Sequence, residues 1–376
     1  MTSVRGRTSG FVYGLRCGKS KARGGAGMIY PESAGHLTAL QRVQDQFRVI
    51  PQSFRDEKIA FAALQPRALT AIFGGPGPRE GISGRNIKMP YAVTLDNVRL
   101  YFEEAGSGTP IIFLHEFAAD HTNWEPQMRY FSRGHRCIAY SARGYTPSDT
   151  PSSAEVYTYK HFYTDALAVL DHLKIAKAHF VGLSMGSYSS LQIGLNTPER
   201  ALSLTLAAVG AGSDLRNLDA FRKQCQANGE QYEKLGAAEV AKVTRDAPSR
   251  IPFLLKDPRG HADFYDALAR HDSKGSANTM RGFQGGRPSI YTLTEAIGKV
   301  PTPALIICGD EDDNCIEPSL FLKKHLPASG LAIFPKSGHV LNLEEPALFN
   351  EMVERFIALV EAGRWPVRDP RSMMAG

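Results

Sequence analysis

Four residue types in this chain stand at spacings that could do chemistry together. Gly182-Leu183-Ser184-Met185-Gly186 places a serine between two glycines. That pattern suits a nucleophile held on a sharp strand-to-helix turn, where the strained, crowded backbone leaves no room for larger neighbours. Such a turn also aims the free N–H groups of the following helix at the reacting centre. A serine hydroxyl is barely ionised near neutrality, so it needs a base. His339, in Ser337-Gly338-His339, supplies one. The base in turn needs an acid to fix its tautomer. The acids available are Asp310, Asp312 and Asp313 in Gly309-Asp310-Glu311-Asp312-Asp313. In chain order the set reads Ser, Asp, His, and the chemistry it implies is acyl transfer through a covalent serine ester.

The elements around these residues place them at matching ends of a sheet. Ala178–Val181 and Ala304–Cys308 are short apolar runs that end just before Ser184 and the acid cluster, and Leu331–Phe334 ends just before His339. Further strand-like runs are Tyr91–Leu95, Val98–Phe102, Ile111–Leu114, Cys137–Tyr140 and Leu202–Ala208. Between them lie segments of helical length, including Tyr159–Leu173, Met185–Asn196 and Ala347–Leu359. Strands too apolar to face water, alternating with helices, predict an α/β fold with a mostly parallel sheet covered on both faces. The interval 213–299 breaks the rhythm. It is polar and helix-like, as expected of an insertion over the carboxyl edge of the sheet, where ligands bind in open α/β sheets. Its aromatic residues, among them Phe264, Tyr265 and Phe283, either line a pocket or pack.

With these motifs on the page, the chain from Met89 to about Leu359, in a domain expected over 89–363, resembles a capped α/β-hydrolase of the group that holds carboxylesterases, enol-lactonases, non-haem haloperoxidases and carbon–carbon bond hydrolases. Arg143-Gly144-Tyr145-Thr146-Pro147-Ser148-Asp149 and Gly338-His339-Val340-Leu341-Asn342-Leu343-Glu344-Glu345-Pro346 carry the likeness beyond the serine turn. The resemblance implies a triad of Ser184, Asp312 and His339, with Asp310 and Asp313 as stand-ins for the acid. It implies oxyanion donors at the amides of Met185 and Phe117. It also implies an ester or lactone hydrolase without cofactor or metal, since no phosphate loop, dinucleotide fingerprint or metal-ligand helix accompanies the motifs. Serine at the nucleophile position sets the chain apart from epoxide hydrolases and haloalkane dehalogenases of this fold, which use aspartate there. The alternatives are a carbon–carbon bond hydrolase of aromatic degradation and a ligand receptor that retains the triad. Where such families have His-Gly after the early strand, this chain has His115-Glu116. A carboxylate there opposes a developing oxyanion unless it turns outward or pairs with a base such as Arg143.

Composition bounds the rest. The 376 residues carry a net charge of +6. Residues 1–88 hold 14 Lys/Arg against 5 Asp/Glu, whereas the remainder has a net charge of −3. The basicity therefore belongs to a leader, expected to be a poorly ordered or dispensable extension with one helix around Leu37–Phe47. A start at Met89, directly before the first strand, would leave every catalytic element in place. The body offers no basic surface for nucleic acid, and no apolar run approaches the roughly 18 residues of a membrane span. Five scattered cysteines without CxxC spacing fit a cytoplasmic protein without disulfides. The expected partner is a small-molecule substrate. Residues 364–376 read as a tail.

Overall fold

Along Pro110–Leu114 the side chains alternate between two faces, and both faces are buried. Ile111 and Phe113 join one apolar cluster, while Ile112 and Leu114 join the other. That period of two, with no polar face, is the signature of a strand covered on both sides. The computed structural model describes residues 90–373. The expected extension 1–88 and its helix lie outside the described residues.

Eight strands form one sheet: β1 (Tyr91–Val93), β2 (Arg99–Ala105), β3 (Pro110–Leu114), β4 (Arg136–Tyr140), β5 (Ala178–Leu183), β6 (Ala201–Ala207), β7 (Ala304–Gly309) and β8 (Ser329–Phe334). Their spatial order is β1-β2-β4-β3-β5-β6-β7-β8. β1 pairs antiparallel with β2, and β2 antiparallel with β4; every other neighbour is parallel. β1 is shorter than the expected Tyr91–Leu95. A tight turn claims Thr94 onward: Asn97 takes a positive φ of 62°, and Thr94 Oγ1 accepts from the Val98 amide at 3.0 Å.

Helices α1 (Glu125–Phe131), α2 (Tyr159–His172) and α3 (Met185–Asn196) follow β3, β4 and β5, while α9 (Asp313–His325) and α10 (Pro346–Glu361) follow β7 and β8. One face of the sheet is covered by Phe162 and Leu170 of α2 with Tyr188 and Leu191 of α3. The other is covered by Phe131 of α1 with Phe349, Val353 and Phe356 of α10. Burying an aliphatic or aromatic side chain in such a layer contributes about 1.5–3 kcal/mol, so these two clusters hold the fold.

Between β6 and β7 the chain makes a helical excursion of α4 (Leu218–Leu235), α5 (Ala237–Thr244), α6 (Ile251–Lys256), α7 (Pro258–Leu268) and α8 (Ser273–Thr279). A π-helical turn at Met280–Gln284 extends α8. Phe283 packs in the main core, edge-on to Phe162 and Tyr188. No helix among the described residues is long and apolar enough to cross a membrane.

Strand order reverses at β3. The chain leaves it towards β4 on one side, and β5 lies on the other. In open α/β sheets the ligand crevice forms at such a switch point, beyond the carboxyl ends of the strands. Here those ends present the segments that follow Leu114 and Leu183.

Candidate active site

Ser184 sits between β5 and α3 with φ 52° and ψ −106°. A non-glycine residue in this region costs on the order of 1–3 kcal/mol and persists only where its surroundings enforce it. Here the enforcement is visible. The Ser184 amide donates to the Ala207 carbonyl of β6 at 2.8 Å, and its carbonyl accepts from the Tyr188 amide at 3.0 Å. The flanking glycines are required by close approach: a Cβ on Gly182 would strike the backbone of Gly186, and one on Gly186 would strike the Leu114 backbone of β3. The G-x-S-x-G spacing is thus the consequence of packing a turn against two neighbouring segments.

The loop after β8 brings His339 to the same edge of the sheet. Its Nδ1 lies 2.7 Å from Asp312 Oδ2, with the carboxylate just past β7. Asp312 is 1% exposed, whereas Asp310 and Asp313 are exposed. Asp310 instead accepts from the Ser337 amide at 3.2 Å and so fixes the loop rather than the imidazole. Burial works against charge on both members of the pair. Their mutual attraction and hydrogen bond prevail, so the Asp312 carboxyl is held below its ordinary range and the His339 imidazole above its own. No hydrogen bond joins Ser184 Oγ to the imidazole among the described residues. Serine–base contacts are often long in unliganded enzymes and tighten with substrate.

Sequence reasoning missed the clamp that holds this histidine. Glu344, 5% exposed, accepts from the Gly338 amide at 2.7 Å and from the Val340 amide at 2.9 Å, on either side of His339. Burial pushes the Glu344 carboxyl up, and the two amides draw it back. Its spacing, five residues after the histidine, lies inside the motif Gly338–Pro346. The His339 amide itself donates to Ser249 O at 3.1 Å, which ties the loop to the helical excursion.

The amides of Met185 and Phe117 find no hydrogen-bond acceptor among the described residues. Met185 opens α3, where the first N–H groups are unpaired by construction. Phe117 follows β3 at the switch point. His115 sets that loop: one ring nitrogen lies 2.7 Å from the Glu116 carbonyl and the other accepts from the Ala142 amide at 3.0 Å. Burial lowers its pKa to about 4, so the ring is neutral and can play both parts.

Glu116 overturns the expected pairing. It is buried, 1% exposed, but its partner is Arg250 of the excursion rather than Arg143. Arg250 donates from Nη1 to Oε1 at 2.7 Å and from Nη2 to Oε2 at 2.5 Å. Arg143 is fully committed elsewhere, to Asp165 at 2.6 Å and Asp96 at 2.7 Å. Burial disfavours the Glu116 charge, yet Arg250 and His339 hold the carboxyl below its usual range. Glu116 Oε2 lies 3.9 Å from His339 Nε2, the ring nitrogen that Asp312 does not touch. Nothing in the sequence beside Arg250 marks it for this role. A cavity of about 220 Å³ opens here, lined by Phe117, Tyr232, Ser249, Arg250, Tyr265 and Met280. Of the aromatic residues expected to line a pocket or pack, Tyr265 lines it, whereas Phe264 stacks under Arg250 with 5.1 Å from ring centre to guanidinium.

Asp312, Cys315 and His339 offer donor atoms within 4.8 Å of one another. As a metal site this set is poor. Asp312 already engages His339 Nδ1, and burial drives the Cys315 thiol well up, keeping it protonated. Its Sγ donates to Ala208 O at 3.3 Å instead.

Several known proteins are similar to this chain. An enol-lactonase, 3-oxoadipate enol-lactonase 1 of Acinetobacter baylyi, is 27% identical over 252 residues, covering 67% of this chain and 89% of that protein. An epoxide hydrolase of Caballeronia sordidicola is 34% identical over 178 residues, covering 46% of this chain and 53% of that one. The enol-lactonase structure from Burkholderia xenovorans superposes with a TM-score of 0.62 at 21% identity, over 72% of this chain and all of that one. The model of the alpha/beta hydrolase fold family matches residues 109–346, which contain every site residue described above. The chain belongs to the α/β-hydrolase fold family.

Proposed function

We propose that this chain is a cofactor-free serine hydrolase that cleaves an ester or lactone of a small molecule. The observation that carries this reading is the buried Asp312–His339 pair, at 2.7 Å, on the same sheet edge as a serine in a strained turn. Ser184 Oγ attacks the carbonyl carbon and passes its proton to His339 Nε2. Asp312 holds the opposite ring nitrogen and stabilises the imidazolium. Negative charge gathers on the carbonyl oxygen, where the Met185 and Phe117 amides receive it; one such donor is typically worth about 2.7–4 kcal/mol. The intermediate collapses as His339 gives the proton to the leaving oxygen; water, deprotonated by the same base, then attacks the acyl carbon, and His339 passes that proton to Ser184 Oγ as the acid departs.

Glu116 is compatible with this scheme because Arg250 cancels its charge within two hydrogen bonds. The excursion between β6 and β7 acts as a cap, contributing Arg250 and the Ser249 carbonyl to the site. The relatives' names span enol-lactone and epoxide chemistry. The serine at the turn favours the former, since an epoxide is opened in this fold by a carboxylate. The free, buried thiols of Cys137, Cys225, Cys308 and Cys315 support a reducing, cytoplasmic setting.

The test is a fluorophosphonate probe with peptide mapping, beside a panel of p-nitrophenyl esters and lactones. Labelling at Ser184 with multiple turnover is expected. A folded protein that takes the label but performs a single turnover would instead be a receptor.

A further inference from the structure

Three arginines are buried among the described residues: Arg143, Arg250 and Arg287. The first two face carboxylates at ion-pair distance. Arg287, 9% exposed, has no ion-pair partner among the described residues. Its Nη1 donates to the Gln284 amide oxygen and its Nη2 to Ala211 O at 2.6 Å, while its Nε–H has no acceptor there. The guanidinium stands over the rings of Tyr188, Phe221 and Phe283, at 5.2, 5.8 and 5.6 Å from their centres. All these neighbours carry partial charge only. Burial lowers its pKa, but an arginine stays charged in proteins. A buried cation with no counter-charge is costly, and a spacer needed only to fill room between three rings would be neutral.

Its place in the fold ties it to the nucleophile. Tyr188 lies one turn beyond Ser184, and its amide donates to the Ser184 carbonyl at 3.0 Å. Ala211 belongs to the loop after β6. In that loop the Ala208 carbonyl receives the Cys315 thiol, whose Sγ is 4.0 Å from His339 Nδ1. Arg287 is thus joined, through Tyr188 and Ala211, to the helix that follows Ser184 and to the loop after β6. It lies three residues after the π-helical turn at Met280–Gln284, and such turns collect at functional sites.

We propose that Arg287 is the anion-binding element of this site, taking a carboxylate on the acyl part of a substrate whose scissile carbonyl lies at Ser184. The proposal rests on the serine-hydrolase reading above and narrows its substrate class to acyl compounds with a remote acidic group.

Hydrolysis of mono-p-nitrophenyl adipate and pimelate is compared with that of p-nitrophenyl hexanoate and heptanoate by the full-length protein. The expected ratio of kcat/KM, anionic over neutral, is about ten or more at one chain length in the wild type and close to one in Arg287→Met, with Arg287→Lys between them. A wild-type ratio of one or below at both lengths overturns the proposal, and so does a ratio that survives Arg287→Met. If Arg287→Met does not fold, wild-type inhibition decides: hexanoate must compete with the neutral ester about tenfold more tightly than hexanamide, and equal inhibition overturns it. If neither ester type is turned over, the hydrolase reading fails, and the proposal is read by melting temperature. Adipate must then stabilise the wild type more than adipamide does, and an equal shift defeats it.

Discussion

The Glu116 carboxylate grips the Arg250 guanidinium through two hydrogen bonds, 2.7 and 2.5 Å long, across 134 residues of chain. The pair joins the loop after β3, which carries the Phe117 amide, to the helical excursion between β6 and β7. Breaking a buried pair by removing one partner typically costs about 3–5 kcal/mol, because the other charge is left uncompensated. Glu116→Ala is accordingly expected to lose about that much in equilibrium denaturation. Combining it with Arg250→Met should cost less than the sum of the two single changes. Strict additivity would mean that the two side chains do not interact.

The same pair shapes the pH profile. A raised His339 pKa places the acid limb of kcat/KM above the ordinary imidazole value of about 6.5, since the ring must be neutral to act as a base. Glu116→Gln removes a negative charge 3.9 Å from Nε2 and unmasks the positive charge of Arg250. Both effects disfavour the imidazolium, so the acid limb should move to lower pH by about half a unit or more. A limb that stays in place or moves up contradicts this electrostatic assignment.

Ser184→Ala should abolish turnover and leave the fold intact, because the turn accommodates a smaller side chain. The loss expected for a triad member is about 10⁴- to 10⁶-fold in kcat. Asp312→Asn should cost far more than Asp310→Asn or Asp313→Asn, as only Asp312 meets the imidazole. Steady-state kinetics on one p-nitrophenyl ester ranks all four, and the opposite order would reassign the acid.

Glu344→Gln tests the clamp on His339. A carboxylate accepts from the Gly338 and Val340 amides together, whereas an amide side chain turns a donor towards one of them. Misplacing the base by about 1 Å can cost on the order of 10²-fold. A fall in kcat of that order with KM little changed is expected. Loss of KM alone would place Glu344 outside the positioning machinery.

Residues 89–376 alone should retain kcat/KM within about threefold of the full chain, under roughly 0.7 kcal/mol. Every proposed site residue falls in the span 116–344. Parallel expression and assay of the two lengths checks this, and a tenfold fall would give residues 1–88 a part in the site.

The strands, the helices and the serine turn were legible because each rests on local physics. Burial of β3 and β7 on both faces writes itself as apolar runs, and the turn at Ser184 writes itself as two glycines where any Cβ would collide. The chain order Ser184, Asp312, His339 followed from the same runs, since each residue closes a strand. What sequence left open depends on which distant segments meet. Only the resemblance to the family singled out Asp312 from Asp310 and Asp313; the turn after β7 is what buries Asp312 against His339 and leaves the others in water. Glu116 was expected to turn outward or pair with Arg143, but Arg143 is consumed by Asp96 and Asp165, and Arg250 arrives from an excursion whose path no local pattern encodes. Arg287 is the same case in reverse: an ordinary basic residue in a glycine-rich stretch, made exceptional only because packing buries its charge where no carboxylate follows. Periodicity acts between near neighbours, and steric exclusion leaves a glycine whichever segment causes it, so both are readable from the chain; charge pairing acts across the assembled fold and is decided there.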